Sequence, residues 1–112
     1  IGAVAEAVTL CEKSGTNPSK MIKALSGGWA DSKILQTHGK RMIIKDFSPK
    51  GKTSTQLKDM TNIINAGKAA ELHLPISSLI KEMYNNLVKD GHGNTDHSSL
   101  YNEINKLNKN MI

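Results

Sequence analysis

Between Pro75 and Gly91 the apolar residues Ile76, Leu79, Ile80, Met83, Tyr84, Leu87 and Val88 recur three and four positions apart. That spacing puts them on one face of a helix and would scatter them over both faces of a strand. Pro75 can open the helix, because the N–H it lacks would find no partner in a first turn, and it drives Leu74 ahead of it to extended backbone. Gly91, after Asp90, stands where a left-handed residue closes a helix. A second stretch, Ser54 to Ala70, carries Leu57, Met60, Ile64 and Gly67 at helical spacing, with Lys58 and Asp59 beside that face near its edge. No stretch alternates with period two for long enough to make a strand. The chain therefore reads as all-α, a helical bundle.

The remaining segments fit that reading. Ile1 to Lys13 is apolar nearly all round: Ile1, Val4, Ala5, Val8 and Cys11 make one stripe and Ala3, Ala7 and Leu10 another. Such a helix is expected to be buried on most sides. It starts without Met and without Ser, Thr, Asp or Asn ahead of its first apolar position, so we expect a chain cut inside or just before a helix, a piece of a longer protein. Asn17 and Pro18 predict the start of a short helix that Gly27 and Gly28 end near Ser26. Ser32 to about Arg41, anchored by Ile34 and Leu35, is a further helical segment with His38 on a polar remainder. Met42 to Thr53 reads as an extended, lysine-rich loop. After the turn Gly91 to Thr95, Asp96 is an expected N-cap, and Leu100, Ile104, Leu107 and Met111 form the last stripe.

With 112 residues the chain is one domain by length and large enough to bury a core without staples. Its lone Cys11 is expected to be a small buried hydrophobe in a reducing compartment. No apolar run is long enough to span a membrane and no signal-peptide start is visible, which together predict a cytoplasmic protein. The net charge of +5 attracts anions. The lysines are scattered, however, and Trp29, Phe47, Tyr84 and Tyr101 are the whole aromatic complement, too few for base stacking along a strand. Nucleic-acid binding is not expected.

Four histidines, His38, His73, His92 and His97, lack the spacing of a metal-ligand set, so no metal is expected. Paired catalytic carboxylates and a phosphate-binding glycine loop are not visible either. What remains is Lys58 with Asp59. A neighbouring lysine and acid are common on any soluble helix, yet an ammonium at a helix edge can offer a point charge to a carboxylate or phosphate. Lys50 and Lys52 just ahead add to the field.

Several stretches taken in order resemble the C-terminal domain of the 3-hydroxyisobutyrate dehydrogenase family of β-hydroxyacid dehydrogenases, which includes tartronate semialdehyde (2-hydroxy-3-oxopropionate) reductase. They are Ala5-Glu6-Ala7 with Glu12-Lys13-Ser14-Gly15, the Gly27-Gly28 turn, Phe47-x-Pro49, Gln56-Leu57-Lys58-Asp59-Met60, Leu74-Pro75, and Asp90-Gly91-His92-Gly93-Asn94-Thr95-Asp96-His97-Ser98-Ser99-Leu100. The resemblance implies a helical domain like the C-terminal domain of 6-phosphogluconate dehydrogenase, which closes a substrate cleft and forms a dimer. It implies NAD or NADP on an N-terminal Rossmann domain absent from this chain, and a small hydroxy-acid or semialdehyde substrate. Lys58 matches the lysine of the family's Lys-Asp-Leu motif and is implied to contact the cofactor near its nicotinamide end, with Asp59 alongside. The family's catalytic lysine and its neighbouring asparagine would precede Ile1, so the chain alone is expected to be inactive. Departures from the pattern are Gly51, where the family carries a bulky residue, Thr53 and Thr55 in place of apolar ones, and Met60 for Leu. A competing reading is a non-enzymatic helical module that self-associates through Ile1 to Lys13.

Overall fold

The computed structural model describes residues 1–109, and they fold as helices in this order: α1 (Gly2–Lys13), α2 (Pro18–Leu25), a π-helical turn (Leu35–Gly39) running into α3 (Lys40–Ile44), α4 (Thr53–Ala69), α5 (Pro75–Lys89), a 3-10 turn (His97–Ser99) and α6 (Leu100–Leu107). No strand occurs among them, only one isolated antiparallel bridge between Lys52 and Asp96. The all-α expectation is borne out. The described chain divides into two compact units: residues 1–47 with 98–109 make the first, and residues 48–97 the second.

In the first unit α1 packs on α6, α2 and the helical stretch that ends as α3. Val8, Met42 and Leu100 are fully buried there, with Ala5, Ile22, Leu35 and Ile104 around them. Each side chain of that size withdrawn from water stabilises by about 1.5–3 kcal/mol. Gly39 permits the close approach: a Cβ at this position would stand 3.0 Å from Ile22 Cδ1 and 3.4 Å from Val4 Cγ1. In the second unit α4 and α5 form an antiparallel pair. Met60 of α4 and Met83, Tyr84 and Leu87 of α5 are its buried apolar side chains.

Helix ends follow the sequence signals. Asn17 accepts a hydrogen bond from Ser19 N at 2.8 Å as the cap of α2, Pro18 and Pro75 are first-turn residues, and Gly27 (φ 79°) and Gly91 (φ 89°) adopt left-handed backbone. Four expectations are corrected. Helix α1 is not buried on most sides: the stripe with Val4, Ala5 and Val8 packs inward, while Ala3 and Leu10 of the other stripe are exposed, because only one flank meets neighbours. Cys11 is half-buried rather than in the core. Met42 to Ile44 belong to α3 and not to a loop, since Met42 is a core residue and the left-handed Lys45 (φ 59°) ends the helix one turn later. Buried His38 is part of the π-helical turn rather than of a polar surface. Along α5 the stripe is buried at Met83, Tyr84 and Leu87 and half-buried at Ile80 and Val88, with Ile76 at 78% and Leu79 at 56% exposure. Met111 of the last stripe lies outside the described residues.

Candidate functional site

Helix α4 carries Lys58 and Asp59, and its first turn is closed in an unexpected way. A helix start leaves four N–H groups without intrahelical partners, and a side-chain cap ordinarily takes some of them. Lys52, the cap residue here, supplies none. Backbone carbonyls from the turn after α5 do so instead: Thr53 N donates to Thr95 O and Ser54 N to Gly93 O, each at 2.9 Å. The fully buried Thr53 hydroxyl donates to Thr95 O at 3.0 Å and lies 3.2 Å from Asp96 O. The stretch Gly93 to Asp96 is thus the cap of α4.

Asp96 is fully buried, and its Oδ1 accepts from Lys50 N at 2.9 Å and Gly51 N at 3.1 Å. It was expected to cap the last helix. The 3-10 turn intervenes, and α6 starts after Ser99 without a side-chain cap. The carboxylate serves the turn before α4. His97 N donates to Gly51 O at 2.7 Å, and its ring lies over Gly51, where an added Cβ would come within 2.9 Å of His97 Cε1. A side chain at position 51 would require the His97 ring to move aside. Gln56 Oε1 stands 3.3 Å from His97 Nδ1. Tyr84 Oη donates to His97 O at 2.9 Å, and burial, helped by the charge of Asp96, pushes the phenol above its ordinary range.

On this clamped helix Lys58 and Asp59 point outward. Their side chains are 65% and 50% exposed, with Lys58 Nζ 3.5 Å from Asp59 Oδ1. The structure places the pair side by side, as the sequence suggested. A solvent-facing ammonium held loosely by one carboxylate keeps donors available for an anionic or carbonyl-bearing ligand, so the donor set fits a nucleotide cofactor. Lys50 and Lys52 are exposed at the turn before the helix.

The first unit holds a group that the sequence did not reveal. Tyr101 Oη donates to Glu12 Oε1 at 2.7 Å, and Lys45 Nζ donates to Glu12 Oε2 at 2.9 Å and to Tyr101 Oη at 2.5 Å. Phe47 stacks on the Tyr101 ring at 6.1 Å between centroids. Burial acts to raise the Glu12 pKa, but the hydrogen bonds from Tyr101 and Lys45 together outweigh it and hold the carboxyl below its ordinary 4.5. Lys45 is likewise raised above 10.5: burial works against its charge, and its bonds to Tyr101 and Glu12 prevail. Sequence separations of 33, 56 and 89 positions hide this triad from any local pattern.

Residues 1–104 match the family model described as the NAD-binding domain of NADP-dependent 3-hydroxyisobutyrate dehydrogenase. The chain belongs to this family. Among relatives of this 3-hydroxyisobutyrate dehydrogenase domain, the 2-hydroxy-3-oxopropionate reductase of Escherichia coli (strain K12) is 38% identical over 100 residues, covering 89% of this chain and 34% of the relative. A probable 3-hydroxyisobutyrate dehydrogenase-like protein of Arabidopsis thaliana is 28% identical over 107 residues, 94% of this chain and 34% of its own. The solved structure of 3-hydroxyisobutyrate dehydrogenase from Salmonella typhimurium superposes with a TM-score of 0.83 at 22% identity, covering 89% of this chain and 35% of that one. The Mycobacterium tuberculosis 3-hydroxyisobutyrate dehydrogenase with L-serine gives 0.82 at 23% identity, covering 91% of this chain and 37% of that one. The chain thus spans about a third of the length of the relatives it matches. The resemblance read from the ordered motifs is borne out, and NAD or NADP is the cofactor that goes with this family's domain.

Proposed function

We propose that this chain is the helical C-terminal domain of an NAD(P)-dependent oxidoreductase acting on small β-hydroxy acids or their semialdehydes, of the 3-hydroxyisobutyrate dehydrogenase or 2-hydroxy-3-oxopropionate reductase type. The observation that carries this reading is the match of the family model to residues 1–104, in a chain whose Lys58-Asp59 pair stands exposed on a clamped helix. The nicotinamide supplies hydride transfer when bound. Lys58 lends its ammonium to the cofactor near the nicotinamide end, and Asp59 orients that ammonium through the 3.5 Å pair. The N-terminal Rossmann domain, with the catalytic lysine and its neighbouring asparagine, belongs to the part of the parent chain ahead of Ile1. This domain alone is then inactive. A single half-buried Cys11, and no helix among the described residues long and apolar enough to cross a membrane, suit the cytoplasm.

In the full-length protein Lys58→Ala is expected to raise KM for NAD(P)H about tenfold, the size of one charge-assisted hydrogen bond. Steady-state kinetics over a panel of small β-hydroxy acids and semialdehydes checks it. Unchanged kinetics on every member would remove Lys58 from the site.

Self-association is the second reading, and it is compatible with the first. Leu10 and Leu107 are 69% and 58% exposed. Together with Ile104 they line a groove of about 690 Å³ between α1 and α6, rimmed by Glu6 and Lys13. Sedimentation over a concentration series tests it, and a strictly monomeric domain at high concentration counts against it.

A further inference from the structure

We infer that Asp96 is a positioning residue for Lys58: its buried carboxylate fixes the turn from which α4 starts, and thereby sets where the Lys58 ammonium stands for the cofactor. The inference rests on the reading of Lys58 given above.

The turn 50–52 has no regular secondary structure to hold it, and α4 has no side-chain cap of its own. Both deficits are met from one place. Asp96 Oδ1 takes the N–H groups of Lys50 and Gly51, while Thr95 O and Gly93 O take those of Thr53 and Ser54. The Thr53 hydroxyl ties the two sets together through Thr95 O and Asp96 O. A buried carboxylate accepting backbone N–H bonds at low dielectric is strongly directional, because its desolvation is offset only while those donors stay aimed at it. Lys58 lies in the second turn of α4, and a helix moves as a rigid rod over that span, so its start decides where Lys58 reaches. Misplacing a ligand-orienting group by about 1 Å can cost as much as ~100-fold in rate. Lys58 itself is exposed and touches Asp59, which adds no anchor to the rest of the fold. The clamp fixes the start of the helix, beside the packing of Met60 and the rest of α4 on α5.

The test is a double-mutant cycle in the full-length protein, read as KM for NAD(P)H. KM does not depend on the fraction of molecules that fold, so a merely structural role leaves it unmoved. Asp96→Asn keeps the shape and removes the charge. We expect it to raise KM about fivefold in the background with Lys58, as when a charge-assisted bond becomes a neutral one, with kcat at saturating cofactor changed less than twofold. In the Lys58→Ala background the same substitution should add nothing, since residues acting through one another are non-additive. Thr53→Val, which loses the tie without changing shape, should show the same non-additivity and serves if Asp96→Asn does not fold. A fivefold effect that persists without Lys58 overturns the inference, as does an unmoved KM in both clamp variants while Lys58→Ala raises it. An unmoved KM in Lys58→Ala overturns the Lys58 reading and the inference with it.

Discussion

The two units secure their irregular segments with different balances of exposed and buried ties. In the first, the ammonium of the left-handed Lys45 after α3 meets Glu12 and Tyr101 at a half-open surface, with side-chain exposures of 46% for Lys45 and 32% for Glu12, while the buried Arg41 Nε donates to Asp46 O at 3.1 Å. In the second, the turn before α4 is tied by backbone to a fully buried Asp96 and to the carbonyls of the following loop. Exposed ion pairs are screened and worth little, roughly 0–1 kcal/mol. A buried carboxylate whose donors are backbone N–H groups cannot be lost without leaving those groups unsatisfied away from water. The Asp96 clamp is therefore expected to be intolerant where the Lys45 pair is forgiving, and the intolerant clamp is the one at the start of the helix that carries the Lys58-Asp59 pair.

The contrast can be broken at its strong end first. Asp96→Ala strands Lys50 N and Gly51 N and is expected to cost about 3 kcal/mol, followed by chemical denaturation; a loss below ~1 kcal/mol would make the two clamps equivalent. Tyr84→Phe removes one neutral bond to His97 O and should cost about 1 kcal/mol. Lys45→Met keeps the aliphatic stem and should cost at most ~1 kcal/mol, with most of that loss gone at high salt.

The same substitution sharpens the comparison through pH. Glu12 is depressed below 4.5, so its contribution is present above that value and fades as pH falls through the folded pKa. Lys45 is raised above 10.5, so its contribution is complete below 10.5 and is lost as pH rises through the folded pKa. Between those limits the stability gap between the natural chain and Lys45→Met should be flat, and it should shrink at both ends.

Local pattern carried the helices a long way. Pro18, Pro75, Gly27 and Gly91 marked ends where φ restriction or left-handed backbone leaves few alternatives, and the three-four spacing of Met83, Tyr84 and Leu87 found the buried face of α5. It failed where a partner far along the chain decided the outcome. Nothing local tells that Leu10 stays in solvent while Val8 is buried, because both lie on an apolar helix and only the placement of α6 and α2 chooses between them. Met42 to Ile44 looked like loop because Lys45, Asp46, Pro49 and Gly51 follow, yet Met42 was wanted in the core.

The site divides in the same way. The sequence by itself determined that the chain is all-helical, that its ordered motifs are those of the 3-hydroxyisobutyrate dehydrogenase family, and that Lys58 and Asp59 adjoin on one helix. Those are properties of spacing and of neighbours in the chain. Only the tertiary structure decided that Asp96 holds the turn ahead of α4, that Gly51 lies beneath the His97 ring, and that Glu12, Lys45 and Tyr101 meet. Those facts depend on hydrogen bonds and contacts between residues many positions apart, and a linear pattern does not say which buried donor a carboxylate will find.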